Sequence, residues 1–214
     1  MTNRLTIDDV TSMFPNTDKA GLRYLPAYNG FLPDKVERVL EIGVWKGDGL
    51  RMIRHFYNGE GEYHCMNYQF GDEDGYIPSI ESLERDGIKC HISYDYDTEA
   101  MSKITDQFDV IIEDASHCSD SQIICFKHFF LNNLKSGGVY FMEDLDCCYH
   151  DPHWRNIKKF EDTALYLFRN VILGGTLESL LISKEEDAKL RSYISRINII
   201  GGFSNGTIAV INKG

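Results

Sequence analysis

Apolar residues along this chain fall into short runs that end at glycine or at acid, and most runs are followed by a stretch with helical spacing. Arg38-Val39-Leu40-Glu41-Ile42-Gly43 comes first, then the glycine-rich Val44-Trp45-Lys46-Gly47-Asp48-Gly49, then a helix-like segment from Leu50 to Phe56. A second run from Glu62 to Tyr68 closes on Gln69-Phe70-Gly71-Asp72, and helical spacing around Ile77 to Arg85 leads to a third near Ile88 to Ser93. Phe108-Asp109-Val110-Ile111-Ile112 reads as a buried strand ending in Glu113-Asp114. The spacing then predicts a helix over Gln122 to Leu134, stopped by Ser136-Gly137-Gly138. Val139-Tyr140-Phe141-Met142 again ends in acid, at Glu143-Asp144, ahead of a long amphipathic stretch from Trp154 to Leu173. Arg196 to Ile200 and Thr207 to Ile211 flank a Gly/Asn-rich turn, the pattern of an antiparallel hairpin.

Five strand–helix units and a terminal hairpin imply an α/β fold: a doubly wound, mostly parallel seven-stranded sheet with a C-terminal antiparallel hairpin. Residues 1–34, with Pro15, Pro26 and Pro33, precede the first strong apolar run and read as a helical or irregular leader that could lie across a site mouth. Residues 35–214 then form one domain, as a length of 214 residues suggests. In such sheets ligands bind beyond the carboxyl ends of the strands, so the residues that end each strand carry the interest.

Composition narrows the partners. Twenty-two Lys and Arg against 33 Asp and Glu give a net charge of −11, which disfavours duplex nucleic acid and anionic membrane as the main partner. A small neutral or glycosyl ligand, and a divalent cation, fit that surface better. Cys65, Cys90, Cys118, Cys125, Cys147 and Cys148 show neither zinc-type pairs nor a disulfide framework and read as reduced thiols. No signal-peptide run and no stretch near the roughly 18 apolar residues of a membrane span is present, so the expectation is a cytoplasmic protein. Self-association into a homo-oligomer stays open.

Three strand ends hold candidate chemistry. Glu41, Gly43, Gly47 and Gly49 let backbone approach a ligand at a helix N-terminus, and the acid before the first glycine suits a cationic ligand portion better than a pyrophosphate. Asp114-Ala115-Ser116-His117 sets a carboxylate and an imidazole on one turning segment. An ordinary histidine pKa of about 6.5 suits it to take a proton from a hydroxyl, while a helix cap at Asp114 with an incidental His117 is the structural alternative. Glu143 and Asp144 end the neighbouring strand, so with Asp114 three carboxylates can converge at one cleft edge, as oxygen ligands for Mg²⁺ or Ca²⁺ or as solvated acids. His55, His64, His91, His128, His150 and His153 lack such company and read as surface or core residues, and Cys147-Cys148 as a packed pair.

Thr17-Asp18-Lys19, Tyr24-Leu25-Pro26-Ala27-Tyr28, Leu40-Glu41-Ile42-Gly43-Val44, Asp114-Ala115-Ser116-His117 and Gly137-Gly138-Val139-Tyr140-Phe141-Met142-Glu143-Asp144-Leu145 occur in this order. In that order the sequence resembles the macrocin/mycinamicin-type sugar O-methyltransferases, a family of class I S-adenosylmethionine-dependent methyltransferases with a Rossmann-like fold. The resemblance runs from about Thr17 to the hairpin, and its DxSH and GGxYxxEDL elements are the specific ones. It implies Mg²⁺-dependent methyl transfer to a sugar hydroxyl, with Asp114, Glu143 and Asp144 as metal ligands and His117 as general base. It also implies Glu41 and Gly43 at the methionine end of S-adenosylmethionine, with Gly47 in the same turn, and Asp95 near the adenine or its neighbouring loop. Asn67 aligns where such enzymes commonly carry the acid that holds the ribose, and an uncharged amide makes a weaker contact with a diol. Two rivals fit the same residues: a metal-dependent enzyme for a non-sugar diol such as a catechol, and a non-catalytic ligand-binding module of the same fold.

Overall fold

The computed structural model describes residues 4–150, 159–201 and 206–214. Seven strands, β1 Arg38–Ile42, β2 Glu62–Asn67, β3 Ile88–Ile92, β4 Phe108–Glu113, β5 Leu134–Met142, β6 Ile194–Gly201 and β7 Thr207–Lys213, form one sheet in the order β3-β2-β1-β4-β5-β7-β6. β1 to β5 pair in parallel, while β7 runs antiparallel to both β5 and β6. The seven-stranded, mostly parallel architecture with its antiparallel hairpin is therefore the one the sequence pattern predicts; residues 202–205 of its turn lie outside the described residues.

Alternation along the strands buries two apolar faces. Val39, Cys65, Val110, Phe141 and Val210 belong to the core under α1 (Ile7–Met13), α2 (Leu25–Phe31) and α3 (Asp48–Phe56). Leu40, Met66, Ile111, Tyr140 and Ile211 belong to the opposite one, with α6 (Ser119–Asn132) and α8 (Ala164–Ile172). Strands buried on both faces are near-continuously apolar, which is why β4 was so legible. α4 (Ile80–Arg85), α5 (Thr98–Met101) and α7 (Cys147–His150) are short connectors. The leader is structured: Tyr24, Leu25 and Tyr28 are buried in the first core, and the Asn16 amide N and Nδ2 both donate to Asp48 Oδ2 at 3.0 Å, tying it to the start of α3.

Element ends moved where tertiary pairing outweighed local signals. α4 begins at Ile80 rather than near Ile77, because the Ser79 hydroxyl caps it after Pro78. α6 stops at Asn132, not at Ser136-Gly137-Gly138, since Phe108 N donates to Asn133 O at 2.8 Å and Leu134 already pairs with Phe108 in the sheet. Gly137, at φ +79°, instead sits inside β5, where the register jumps from Phe108–Leu134 to Val110–Val139. The stretch from Trp154 to Leu173 is not one helix. Residues 154–158 lie outside the described residues, Phe160–Asp162 form a 3-10 turn, and Thr163 caps a new helix, α8. α9 (Lys184–Tyr193), absent from the sequence reading, is set by a capping box between Ser183 and Glu186.

Candidate active site

The strand order reverses between β1 and β4, and the loops leaving these two strands meet there. Gly43, at φ +89°, donates its N–H to Met66 O at 2.8 Å, and a Cβ at this position would stand 2.0 Å from the Asp114 carbonyl oxygen. Only glycine allows so close a crossing. Beyond it opens a cleft of about 690 Å³, lined by Gly43, Asn67, Ser93, Asp95, Asp114 and His117 among others. Asp95 is buried and accepts from Ser116 Oγ at 2.5 Å and Ser116 N at 3.2 Å, which joins the β3 and β4 loops into one wall. Asn67 Nδ2 donates to Gln69 O at 2.8 Å, so the amide of the expected ribose position also folds its own loop. Tyr68, Tyr94 and Tyr96 stack in series, with ring planes within 20° of parallel.

Glu41 and Gly47 lie on the other side of the glycine turn. Neither lines the large cleft; both border a small recess of about 20 Å³ with Lys19 and Asp48. Glu41 is buried, its Oε1 3.7 Å from Lys19 Nζ, and burial lifts its carboxyl to about 7 against the opposing pull of that ammonium.

Lys19 is 1% exposed, a burial depth that an ammonium reaches only when paired. Its Nζ donates to Asp114 Oδ2 at 2.7 Å and to both Glu143 oxygens at 2.7 and 2.9 Å. Burial alone would lower its pKa, but Asp114 and Glu143 more than reverse that and hold it above the ordinary lysine range. Tyr28 also donates its hydroxyl to Glu143 Oε1. Glu143 is therefore held by Lys19 and Tyr28, on the same ammonium as Asp114, which lines the cleft edge. Asp114, His117 and Asp144 are the residues brought together there, one donor atom from each lying within 4.8 Å of the others.

His117 and Asp144 both adopt left-handed backbone, at φ 57° and 54°, which costs a non-glycine residue about 1–2 kcal/mol and persists only where surroundings enforce it. At Asp144 the enforcing group is Tyr24, whose hydroxyl donates to Asp144 Oδ1 at 2.7 Å and accepts from Asp144 N at 3.1 Å. Among the described residues His117 Nδ1 is buried without a hydrogen bond, and it stands 3.7 Å from Asp144 Oδ2. Burial raises the Asp144 pKa, with His117 opposing and Asp114 adding to the rise. The Asp114 and Asp144 carboxylates at a cleft edge fit a divalent cation with the His117 imidazole beside it, and the glycine crossing with its 690 Å³ cleft fits a nucleoside-sized donor.

Lys19, Tyr24 and Tyr28 fall within the motif segments, but the sequence assigns them no work. A lone lysine in a polar leader carries no periodic signal; its meaning comes from carboxylates at three distant strand ends. The six cysteines are thiols, as expected. Among the described residues no helix is long and apolar enough to cross a membrane.

The sheet order, the antiparallel β7 and the cleft at the strand reversal together define the Rossmann-like fold of class I methyltransferases. Among solved structures the chain is similar to the MycE methyltransferase of the mycinamycin biosynthetic pathway in complex with Mg, SAH and mycinamycin VI, with a TM-score of 0.74 at 21% identity. That match covers 100% of this chain and 56% of MycE, so the chain spans little more than half of MycE's length. A second MycE structure, with Mg and SAH, gives 0.72 at 22% identity over the same shares. The O-methyltransferase from Bacillus cereus in complex with SAH gives 0.54 at 14% identity, covering 97% of this chain and 90% of that one. No protein-family model and no curated protein sequence matches significantly. These likenesses establish the fold, and the resemblance read in the sequence agrees with it.

Proposed function

We propose that the chain is an S-adenosylmethionine-dependent, divalent-metal-dependent O-methyltransferase acting on a sugar hydroxyl of a small-molecule or glycosyl acceptor. The carrying observation is the convergence of Asp114, His117 and Asp144 at the edge of a cleft built on the Gly43 crossing. The MycE structures, which hold Mg and SAH in the same fold and in one case mycinamycin VI, support it. On this reading residues 35–214 are the catalytic unit and the leader closes its metal side.

When bound, S-adenosylmethionine supplies an electrophilic methyl group and Mg²⁺ supplies Lewis acidity that eases ionisation of the acceptor hydroxyl. Asp114 and Asp144 would hold the cation, in keeping with the preference of Mg²⁺ for one or two carboxylates plus waters and substrate. Glu143 stands behind them, fixing Lys19 and Tyr28. Gly43, Asn67 and Asp95 shape the donor cleft, while Glu41 holds the turn from beneath. His117 would receive the acceptor hydroxyl's proton at Nε2, because Nδ1 faces Asp144, whose carboxylate would balance the imidazolium formed.

Methyl transfer to a panel of glycosides and simple catechols, with EDTA and with Mg²⁺ restored, tests the reading. Expected are EDTA-sensitive turnover on glycosides and none on catechols. Full turnover after exhaustive chelation removes the metal, preference for catechols removes the sugar, and failure to bind S-adenosylmethionine in calorimetry leaves a non-catalytic module.

A further inference from the structure

Away from the cleft, β2 and β3 carry a second group of potential ligands. His64 on β2 and His91 on β3 project from the same sheet face, since His64 pairs with Lys89 and Met66 with His91 in the parallel register. Their rings stack with centroids 5.3 Å apart, and His64 Nδ1 lies 3.0 Å from His91 Nε2. Asp106, in the segment before β4, places Oδ2 4.0 Å from His64 Nδ1. One donor atom each from His64, His91 and Asp106 falls within 4.8 Å of the others, and none of the three residues lines the cleft.

We infer that His64, His91 and Asp106 form a second metal site, selective for a borderline transition cation of the Zn²⁺ class, that clamps the edge strand β3 to β2 and to the segment before β4. Metal–nitrogen bonds of about 2.0–2.1 Å at a tetrahedral angle separate two donors by about 3.3 Å, so the imidazole pair needs to open by only about 0.3 Å. The Asp106 carboxylate closes by less than an ångström towards His64 through side-chain rotation, loosening its 3.2 Å ion pair with the exposed Lys89. Two imidazoles and one carboxylate suit Zn²⁺ and disfavour Mg²⁺, which takes oxygen ligands. Burial keeps both rings neutral at neutral pH, the state in which histidine ligates. The hydrogen shared by the facing nitrogens relocates to a distal ring nitrogen on binding, so no net proton is released. At His64 that distal atom, Nε2, already lies 3.9 Å from Glu62 Oε2, a carboxylate placed to orient a ligating imidazole. The location gives the site work: among the described residues β3 is an edge strand paired with β2 alone, and the cation adds a cross-link within that ladder.

The test uses the full chain, stripped of metal, carrying Asp144→Asn to weaken the cleft-edge site. Calorimetric titration with Zn²⁺ should show one site per chain that Mg²⁺ does not compete for, and Co²⁺ should give the intense visible absorption of tetrahedral coordination. His91→Ala and Asp106→Asn should each weaken Zn²⁺ binding at least tenfold and bleach the Co²⁺ band. His91 is only half-buried and Asp106 is partly exposed, so both variants can be checked for native circular dichroism before titration. Zn²⁺ affinity and Co²⁺ spectrum unchanged in both folded variants, or no Zn²⁺ binding to the parent, overturn the inference and leave a plain hydrogen-bonded histidine pair.

Discussion

Replacing Lys19 by Met keeps the side chain's length and apolar stem while deleting the charge that three buried or half-buried carboxylates share. Each of the two 2.7 Å contacts, to Asp114 and Glu143, is worth about 6 kcal/mol of gross attraction at an effective dielectric of about 20. Most of this is offset in the native protein by the cost of dehydrating the ammonium. What the variant feels is the carboxylates left without a counter-ion, and breaking a buried pair from one side costs about 3–5 kcal/mol. For a chain of this size that corresponds to a fall in Tm of roughly 10 °C. The loss should shrink between pH 7.5 and pH 5, as the carboxylates, whose pKa values burial raises, take up protons. It should also be largely recovered in Lys19→Met/Glu143→Gln, which removes both sides of the pair, so that a double-mutant cycle returns a coupling of about 2 kcal/mol or more. Urea unfolding of the four proteins at pH 7.5 and pH 5 measures all of this. A Lys19→Met variant within about 1 kcal/mol of the parent, or a cycle with additive effects, would refute the view that Lys19 is the internal counter-ion of the site.

Gly43→Ala should lose about 2–5 kcal/mol and its affinity for S-adenosylhomocysteine, because the new Cβ meets Asp114 backbone at 2.0 Å and sits at φ +89°; urea midpoints and calorimetry report the two losses. His117→Ala should slow methyl transfer by about 10² to 10⁴ with donor affinity unchanged, and near-parental turnover on the preferred acceptor would return His117 to a turn residue. His91 sits at a pKa of about 4 through burial and then the neighbouring His64, so between pH 6.5 and 4 the unfolded chain binds more protons than the native one, and stability contributed there falls as pH falls. His91→Asn should therefore lose less stability than the parent on going from pH 7 to pH 4.5, and equal losses would contradict a lowered His91 pKa.

Strand identity, strand ends and the hairpin were legible in the chain because burial on both faces forces β1, β4 and β5 to be apolar without interruption. The same parallel winding puts their polar exits, Gly43, Asp114 and Glu143-Asp144, at one edge of the sheet. Period and punctuation are local properties, and they suffice for that much. Where α6 ends is not local: Asn133 and Leu134 are claimed by pairing with Phe108, and the glycines that looked like a cap became a register shift within β5. Nor could spacing decide which partners the two adjacent acids take. Asp144 is held by Tyr24 through a left-handed backbone, while Glu143 is held by Lys19 and Tyr28, all from a leader more than 110 residues earlier in the chain. His64 and His91 read as ordinary surface or core residues for the same reason, since their 3.0 Å contact depends on the β2–β3 register. Sequence thus determined which chemistry reaches the sheet edge, and the tertiary structure decided which carboxylate meets which cation, because electrostatic pairing in a buried site depends on distances that only long-range packing sets.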